Sequence, residues 1–243
     1  MKKIVLSAFV IAGMLFTSCD KNDDDAAQNE GNVYLPAKIN SSDYTTIFNY
    51  DDNGLLTKIV ESDGYEYTFS YSGDQLVEFV ESETYQGDSY VTTYTFSQSG
   101  NTITLDYVYD YNGSSNSGTS TLEVDNKGYL ISDDYFAYTY DANGNTVKMT
   151  SIYGDEATLT FDSKNGIFKN IKLPQWVLSY FLGYQTNHIN NALSLEFVSE
   201  EYPEDNNSGT IVYEYNSDGY PTKTTATSTE EGTEAQTIEY IKK

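Results

Sequence analysis

The sequence is short of several residue types on which whole classes of function depend. Its 243 residues contain one cysteine, one histidine, one tryptophan and four prolines, and arginine is absent. A single cysteine excludes an internal disulfide, and a single histidine excludes the His/Cys clusters that bind structural zinc. A serine hydrolase would need that histidine, His188, and a G-x-S-x-G elbow, which the sequence lacks. Most enzyme classes are therefore excluded.

Positive charge is also scarce, and this restricts the partners. Thirteen lysines stand against 37 acidic residues, so the formal net charge is −24. Phosphate recognition depends on clustered Lys and Arg, and counterion release requires many such contacts. We expect no nucleic acid partner, whereas neutral and cationic ligands remain open.

The N-terminus has the pattern of an export signal. Lys2 and Lys3 precede an apolar run over residues 4–16 that is too short to span a membrane, and Thr17, Ser18 and Cys19 follow. This segment resembles a bacterial lipobox, which implies a signal peptide over residues 1–18 and lipidation of Cys19 as the membrane anchor. The alternative is an ordinary secretory signal in which Cys19 has no special role.

An acidic segment over residues 19–32 follows the signal. It begins Cys-Asp-Lys-Asn-Asp-Asp-Asp and resembles the surface-export signal of Bacteroidetes lipoproteins, which implies an outer-membrane lipoprotein exposed at the cell surface. Residues 20–32 contain almost no apolar side chains, so we expect a flexible tether with a reach of about 20 Å.

Alternating polar and apolar residues dominate the remaining chain, residues 33–243, and predict a single mainly β domain. Residues 65–71, 90–96 and 211–215 show the period of two that is typical of half-buried strands. Pairs such as Asn-Gly and Asp-Gly, which favour tight hairpin turns, separate such segments. We expect an antiparallel meander of repeated hairpins that forms a curved sheet or open barrel.

A weak repeat accompanies this pattern. Residues 50–59, 140–149 and 215–224 align as an aromatic residue, a polar turn, a glycine and then a lysine, and looser copies recur roughly every twenty residues. These motifs resemble the YD repeats of RHS-type proteins, and more closely the uncharacterised Bacteroidetes surface lipoproteins built from such repeats. The resemblance implies a β-rich extracellular fold and no catalytic residues.

One segment breaks the β pattern. Residues 174–182 are largely apolar, with Pro174 at the start and Gly183 just past the end, and predict one short buried helix. Its aromatic residues Trp176 and Tyr180, with Tyr184 beyond it, are the candidate ligand-binding residues. The alternative is that they belong to the core.

The 24 tyrosines can be interpreted in two ways. They could form a stacking surface for sugars, or pack across strands as structural residues. Calcium is a possible cofactor because oxygen ligands crowd the turns, although no segment fits the spaced loop of calcium sites; no other cofactor is expected. The leading hypothesis is a noncatalytic binding or adhesion module, with a glycan as one candidate ligand. A structural accessory subunit of an envelope complex is the alternative, and a carboxylate-dependent glycoside hydrolase is the third.

Overall fold

The computed structural model of the protein describes residues 33–183, 186–230 and 232–243. These residues form sixteen β-strands and one short α-helix. The strands are β1 (Tyr34–Asn40), β2 (Thr45–Tyr50), β3 (Leu56–Glu61), β4 (Tyr65–Ser72), β5 (Gln75–Tyr85), β6 (Asp88–Ser99), β7 (Thr102–Tyr111), β8 (Ser114–Val124), β9 (Leu130–Ser132), β10 (Phe136–Tyr140), β11 (Thr146–Ser151), β12 (Glu156–Phe161), β13 (Ala192–Val198), β14 (Asn207–Tyr215), β15 (Pro221–Ser228) and β16 (Gly232–Lys242). The helix α1 spans Gln175–Tyr180, and a 3₁₀ turn spans Pro203–Asp205.

The strands close into one antiparallel barrel in which each strand pairs with its neighbours in the sequence. The barrel is closed by β1 and β16, which pair from Tyr34 opposite Lys242 to Asn40 opposite Thr237. The prediction of a mainly β fold with one short helix is confirmed. The expected curved sheet or open barrel is wrong, because the pairing of β1 with β16 removes the free edges.

The segments that connect the strands alternate between two ends of the barrel. The closed end, as we call it, holds the turns after the even-numbered strands β2 to β14, together with Val33 and Lys243, whose backbones are hydrogen-bonded to each other. The opposite end, called the mouth, holds the loops after the odd-numbered strands. Because the sequence repeat recurs every two strands, its Asn-Gly or Asp-Gly turn always lies at the closed end.

The inner face of the barrel forms the core. On β4, Phe69 is buried and points inward, as do Tyr65 and Tyr67, while the residues between them point outward. The larger core cluster is centred on fully buried side chains such as Leu56, Ile59 and Phe79, and a smaller cluster lies between β12 and β15. Apolar side chains thus fill much of the barrel interior, and polar side chains such as Thr46 and Thr224 are buried with them.

The outer face is mainly polar, with exposed apolar side chains such as Ile47, Val108 and Val212 among its polar residues. Three ion pairs join neighbouring strands on it: Lys58 with Glu66, Lys148 with Glu156, and Lys223 with Glu214. The three lysines are those that the sequence repeat aligns. All six side chains are well exposed to solvent, so each pair contributes little stability and chiefly keeps the outer surface hydrophilic.

A single side chain organises each repeat turn at the closed end. After β10, Oδ1 of Asp141 accepts hydrogen bonds from the backbone amides of Asn143, Gly144 and Asn145. Gly144 has a φ of 97°, a conformation that glycine adopts at little cost. The same role belongs to Asp51, Asp125 and Asn216 in the turns after β2, β8 and β14.

A cap segment, residues 162–191, connects β12 to β13 and covers the closed end. The Asn165 amide donates to the carbonyl of Gly219 in the turn after β14, and the Lys172 ammonium donates to the carbonyl of Asn53 in the turn after β2. The cap therefore contacts turns that are far apart in the sequence. In the cap, α1 directs Trp176 into the core. No helix within the described residues is long and apolar enough to cross a membrane.

The predicted helix is present but shorter than expected. Pro174 is its N-cap and Phe181 its C-cap, so the regular part is Gln175–Tyr180 instead of 174–182. Pro174 fixes the start because it supplies the first helical carbonyl without needing a donor there. Gly183, with a φ of 63°, marks the end of the segment.

Candidate functional site

The tyrosines at the closed end are structural. The hydroxyl of Tyr71 donates to the carbonyl of Leu56 at 2.7 Å, and that of Tyr140 donates to the carbonyl of Leu130 at 2.7 Å. Each of these tyrosines lies just before one closed-end turn. Its hydroxyl is hydrogen-bonded to the residue that directly follows the previous closed-end turn, one hairpin earlier in the sequence. Burial is the main cause that raises the pKa of Tyr140, to about 12. These residues join successive hairpins.

The tyrosines at the mouth are different, because they are exposed. Among the described residues, every tyrosine with more than a third of its surface exposed lies at or near the mouth. They are Tyr85 (56%), Tyr109 (38%), Tyr111 (38%), Tyr135 (55%), Tyr153 (66%) and Tyr202 (51%). The aromatic residues available to a ligand are therefore concentrated at one end of the barrel.

One side of the mouth is a wall made by four long strands. The strands β5 to β8 have 10 to 12 residues, whereas the nearby strands β10 to β12 have five or six. The wall strands therefore extend further than β10 to β12. The inward-facing side chains there, which we call the mouth wall, are Glu81, Glu83, Tyr90, Thr92, Tyr107, Tyr109 and Tyr111.

The rings of the mouth wall are held in defined positions. Tyr90 and Tyr111 are stacked, with ring centroids 4.8 Å apart and planes 24° apart. Tyr107 crosses the backbone of Gly118 on β8, where a Cβ atom would come within 2.3 Å of the tyrosine hydroxyl. Glycine at this position makes room for the ring, so the wall presents preformed aromatic surface.

The cap segment forms the floor of the mouth wall. The ring of Phe181 packs against Phe79 and Tyr94, with centroids 4.5 and 4.7 Å apart. Tyr180 packs edge-on against Phe181 at 4.9 Å. Burial raises the pKa of Tyr180 to about 12, and the nearby carboxylate of Asp133 adds to this shift. The cap thus supports the wall from within the barrel.

Carboxylates lie beside the tyrosines at the mouth. Glu61, at the end of β3, is half-buried, and burial raises the pKa of its carboxyl to about 7. The charges of Asp63 and Glu81 raise this pKa further, whereas a hydrogen bond with Thr46 opposes the shift. A substantial fraction of Glu61 is therefore protonated at neutral pH, so it can donate as well as accept a hydrogen bond.

The residues predicted to bind a ligand are placed less favourably. Trp176 is only 7% exposed, and its ring meets Phe96 edge-to-face at 5.2 Å, in agreement with the alternative that it belongs to the core. Tyr180 is half-buried at the floor of the mouth. Tyr184 and the lipidation residue Cys19 lie outside the described residues, as do the whole signal peptide and tether, residues 1–32.

His188, the one histidine of the sequence, lies partly buried in the cap. Burial lowers the pKa of its imidazole to about 4, and its Nδ1 has no hydrogen-bond partner in the described part of the chain. The described residues contain no group of three or more His, Cys, Asp or Glu side chains arranged to hold a metal ion.

A small cavity lies inside the barrel between the cap and β14 to β16. Its volume is about 40 Å³, and Tyr213, Glu234 and Gln236 are among its lining residues. This is room for about one water molecule, so the cavity is far too small for a sugar. A sugar therefore cannot bind in this cavity.

Sequence reasoning missed the mouth, although a signal was present. The structural tyrosines directly precede the Asp-Gly or Asn-Gly turns of the repeat, as Tyr140 precedes Asp141. Three of the six exposed ones, Tyr135, Tyr153 and Tyr202, lie in the loops between strands. Tyr111 is exposed although it directly precedes an Asn-Gly pair, so sorting the tyrosines by their position relative to the repeat would have separated the two sets only in part.

Comparisons with known proteins support the fold and extend no further. No protein-family model and no curated protein matches the sequence. The structure is similar to a porin-like protein from Bacteroides vulgatus, with a TM-score of 0.50 and 8% identity over 86% of this chain and 99% of that one. A porin-like protein from Bacteroides uniformis gives a TM-score of 0.34 and 15% identity over 86% and 96% of the two chains. At 8% identity the first likeness shows a shared barrel fold, while the lipid anchor and the YD-repeat family stay predictions.

Proposed function

We propose that the protein is a lipid-anchored, noncatalytic binding module that takes an extracellular glycan at its mouth. The observation that carries this proposal is the concentration of exposed tyrosines at the mouth, around the stacked pair Tyr90 and Tyr111. Tyrosine rings offer flat apolar faces with a polar tip, which suits the faces and hydroxyls of sugars.

The mouth is also the end that a tethered barrel would present to its surroundings. The first described residue, Val33, lies at the closed end. A tether that runs from a lipidated Cys19 to Val33 would hold the closed end nearer to the membrane. The mouth would then point away from the membrane, toward extracellular polymers.

A transmembrane channel is the less favoured interpretation of the porin-like fold. A barrel in lipid carries an apolar band outside and, in porins, a polar water-filled lumen. Here the outer face carries charged residues such as Lys58 and Lys148, and the interior holds fully buried side chains such as Phe79. A lysine on the lipid-facing side costs about 2–4 kcal/mol at the bilayer midplane. These features favour a barrel surrounded by water.

The proposal is tested with a panel of neutral polysaccharides and the purified protein. We expect one glycan class to raise the melting temperature saturably, because a ligand that binds only the native state stabilises it. Tyr109→Ala and Tyr111→Ala should abolish this shift. Val108→Ala is the matched control, because Val108 is 50% exposed on the outer face of the same strand. An unchanged shift in the tyrosine variants would contradict the proposal, and released sugar products would indicate the hydrolase instead.

A second candidate, an accessory subunit that binds an envelope protein, is favoured by one apolar patch. Ile152 and Tyr153 are 65% and 66% exposed, and the amide of Ile152 donates to the carbonyl of Tyr135, which is 55% exposed. A photo-crosslinking residue at Tyr153 tests this candidate in living cells. A single discrete adduct that is absent with the crosslinker at Val108 would support it, and no adduct at either position would count against it.

A further inference from the structure

We propose that the glycan bound at the mouth carries protonated amino groups. This inference rests on the proposed function, because it names the chemical class of the ligand for the same site. It starts from the inner face of β5 to β8 at the mouth, a sheet face that nothing in the described chain covers. Tyr109, Tyr111 and Asn116 are all exposed there.

The charges of the described residues are distributed unevenly between the two ends. The ten described lysines lie either on the outer face or at the closed end. Lys38, Lys58, Lys148 and Lys223 are on the outer face, and Lys127, Lys164, Lys169, Lys172, Lys242 and Lys243 are at the closed end. The mouth wall instead contributes Glu81 and Glu83, with Glu61 and Asp63 on the neighbouring strand and loop.

A concave surface lined by one sign of charge attracts the opposite sign strongly. The mouth therefore favours a cationic occupant. The chain's own acidic tether would be repelled by it, and so would a second copy of the mouth, which has the same charge. Charge complementarity thus points to a foreign ligand with positive groups.

The tyrosines reinforce this preference for a cation. An ammonium group over an aromatic face is attracted by the electron-rich face of the ring, even at an exposed site. The described residues include an example of this contact at the closed end, where the Lys242 ammonium lies 4.7 Å from the ring centroid of Tyr34. At the mouth wall, exposed rings and carboxylates stand side by side, so an amine could contact both.

An amine-bearing glycan fits better than a basic peptide. Extended peptides commonly bind by adding a strand to a free sheet edge, and a closed barrel offers no such edge. The stacked rings of Tyr90 and Tyr111 present the flat surface on which sugar rings pack. A polymer of amino sugars would use the rings and the carboxylates together.

The test compares two oligosaccharides that differ in one substituent of each sugar, which is a charged ammonium group in one and a neutral acetamide in the other. Glucosamine oligomers and N-acetylglucosamine oligomers of equal length and linkage are titrated into the purified protein by calorimetry, at a pH where the amines are protonated. We expect the amine form to bind at least about tenfold more tightly at low salt, which a few charge pairs of modest strength can supply. The difference should shrink as salt is added.

Two variants separate charge from shape. Glu81→Gln with Glu83→Gln should reduce binding of the amine form to the level of the acetylated form and leave the acetylated form unchanged. Glu196→Gln, on the outer face of β13, is the control and should change neither. A circular dichroism spectrum identical to that of the parent protein shows that the double variant is folded.

The outcomes distinguish this inference from the function on which it rests. Equal binding of the two oligomers, or tighter binding of the acetylated one, would overturn the inference and leave the glycan-binding proposal standing. Binding of neither oligomer, while a neutral glycan from the polysaccharide panel binds at the mouth, would overturn it in the same way. Binding of oligolysine with neither oligomer would assign the mouth to a basic peptide and overturn both.

Discussion

The tyrosines of this barrel fall into two sets with different roles, and the surroundings of each residue determine its role. At the closed end the hydroxyl of Tyr71 is a hydrogen-bond donor to the Leu56 carbonyl, whereas at the mouth Tyr111 keeps its ring in solvent. Composition alone showed that tyrosine was abundant and could not divide the two sets. The division depends on which end of a hairpin a residue occupies, and that requires the barrel topology.

Removing one hydroxyl at each end measures this division. Tyr71→Phe leaves the Leu56 carbonyl without that donor, so we expect a loss of about 1–2 kcal/mol in the free energy of unfolding. Tyr153→Phe, at an exposed mouth position, should change it by less than about 0.5 kcal/mol. Urea denaturation of both variants provides the measurement, and equal losses would argue against a structural role for Tyr71.

Glu61 makes the stability of the folded protein depend on pH. Burial raises its carboxyl pKa from 4.5 in the unfolded chain to about 7 in the folded protein, so the folded state binds the proton more strongly between these values. Stability must therefore fall as pH rises through this window. Because the group is only partly buried, we expect a cost on the order of 1–2 kcal/mol above pH 7.

The variant Glu61→Gln should remove this cost. The difference in unfolding free energy between this variant and the parent protein should increase in favour of the variant as pH rises from about 4.5 to 8. Glu196→Gln, an exposed residue on the outer face, should follow the parent curve at every pH. Parallel pH profiles for the Glu61 variant and the parent protein would show that the carboxyl is not perturbed.

The hairpin turn is the unit that the sequence described best. The repeat of aromatic residue, polar turn, glycine and lysine predicted the turns after β2, β10 and β14, and each forms at the expected position. Turns are readable because the Asx side chain and the positive-φ glycine act within five residues. The helix was predicted for the same reason, with bounds one residue too wide at the start and two at the end.

Asp141 is the side chain that holds its turn together. Although burial alone would raise its pKa, hydrogen bonds from Asn145, Asn143 and Gly144 lower it overall. Asp141→Ala should lower the unfolding free energy by about 1–3 kcal/mol, because several backbone amides lose their acceptor.

Asp141→Asn is the matched control for this turn. It should cost less, because Asn216 performs the same role in the turn after β14. Hydrogen exchange of residues 143–145 gives a local readout. Equal stability of the Asp141→Ala and Asp141→Asn variants would show that the side-chain hydrogen-bond acceptor does not stabilise the turn.

The barrel as a unit was the least predictable feature. Closure depends on the pairing of Ile39 with Ile238, nearly two hundred residues apart, and no pattern within a strand encodes such a contact. The concentration of exposed tyrosine and negative charge at one end also appears only once alternate turns are assigned to alternate ends. Local sequence patterns therefore gave only a partial signal of the candidate site, although its residue types had been noticed.

The central claim is that this barrel stands in water, held by a lipid on Cys19, with its mouth directed away from the membrane. The most direct measurement is fractionation of the Cys19→Ala variant, exported behind an ordinary cleavable signal, after an alkaline carbonate wash. The account predicts a folded barrel in the soluble fraction, because its outer face carries ion pairs such as that of Lys58 with Glu66. A variant that stays in the membrane pellet as an integral protein would contradict it.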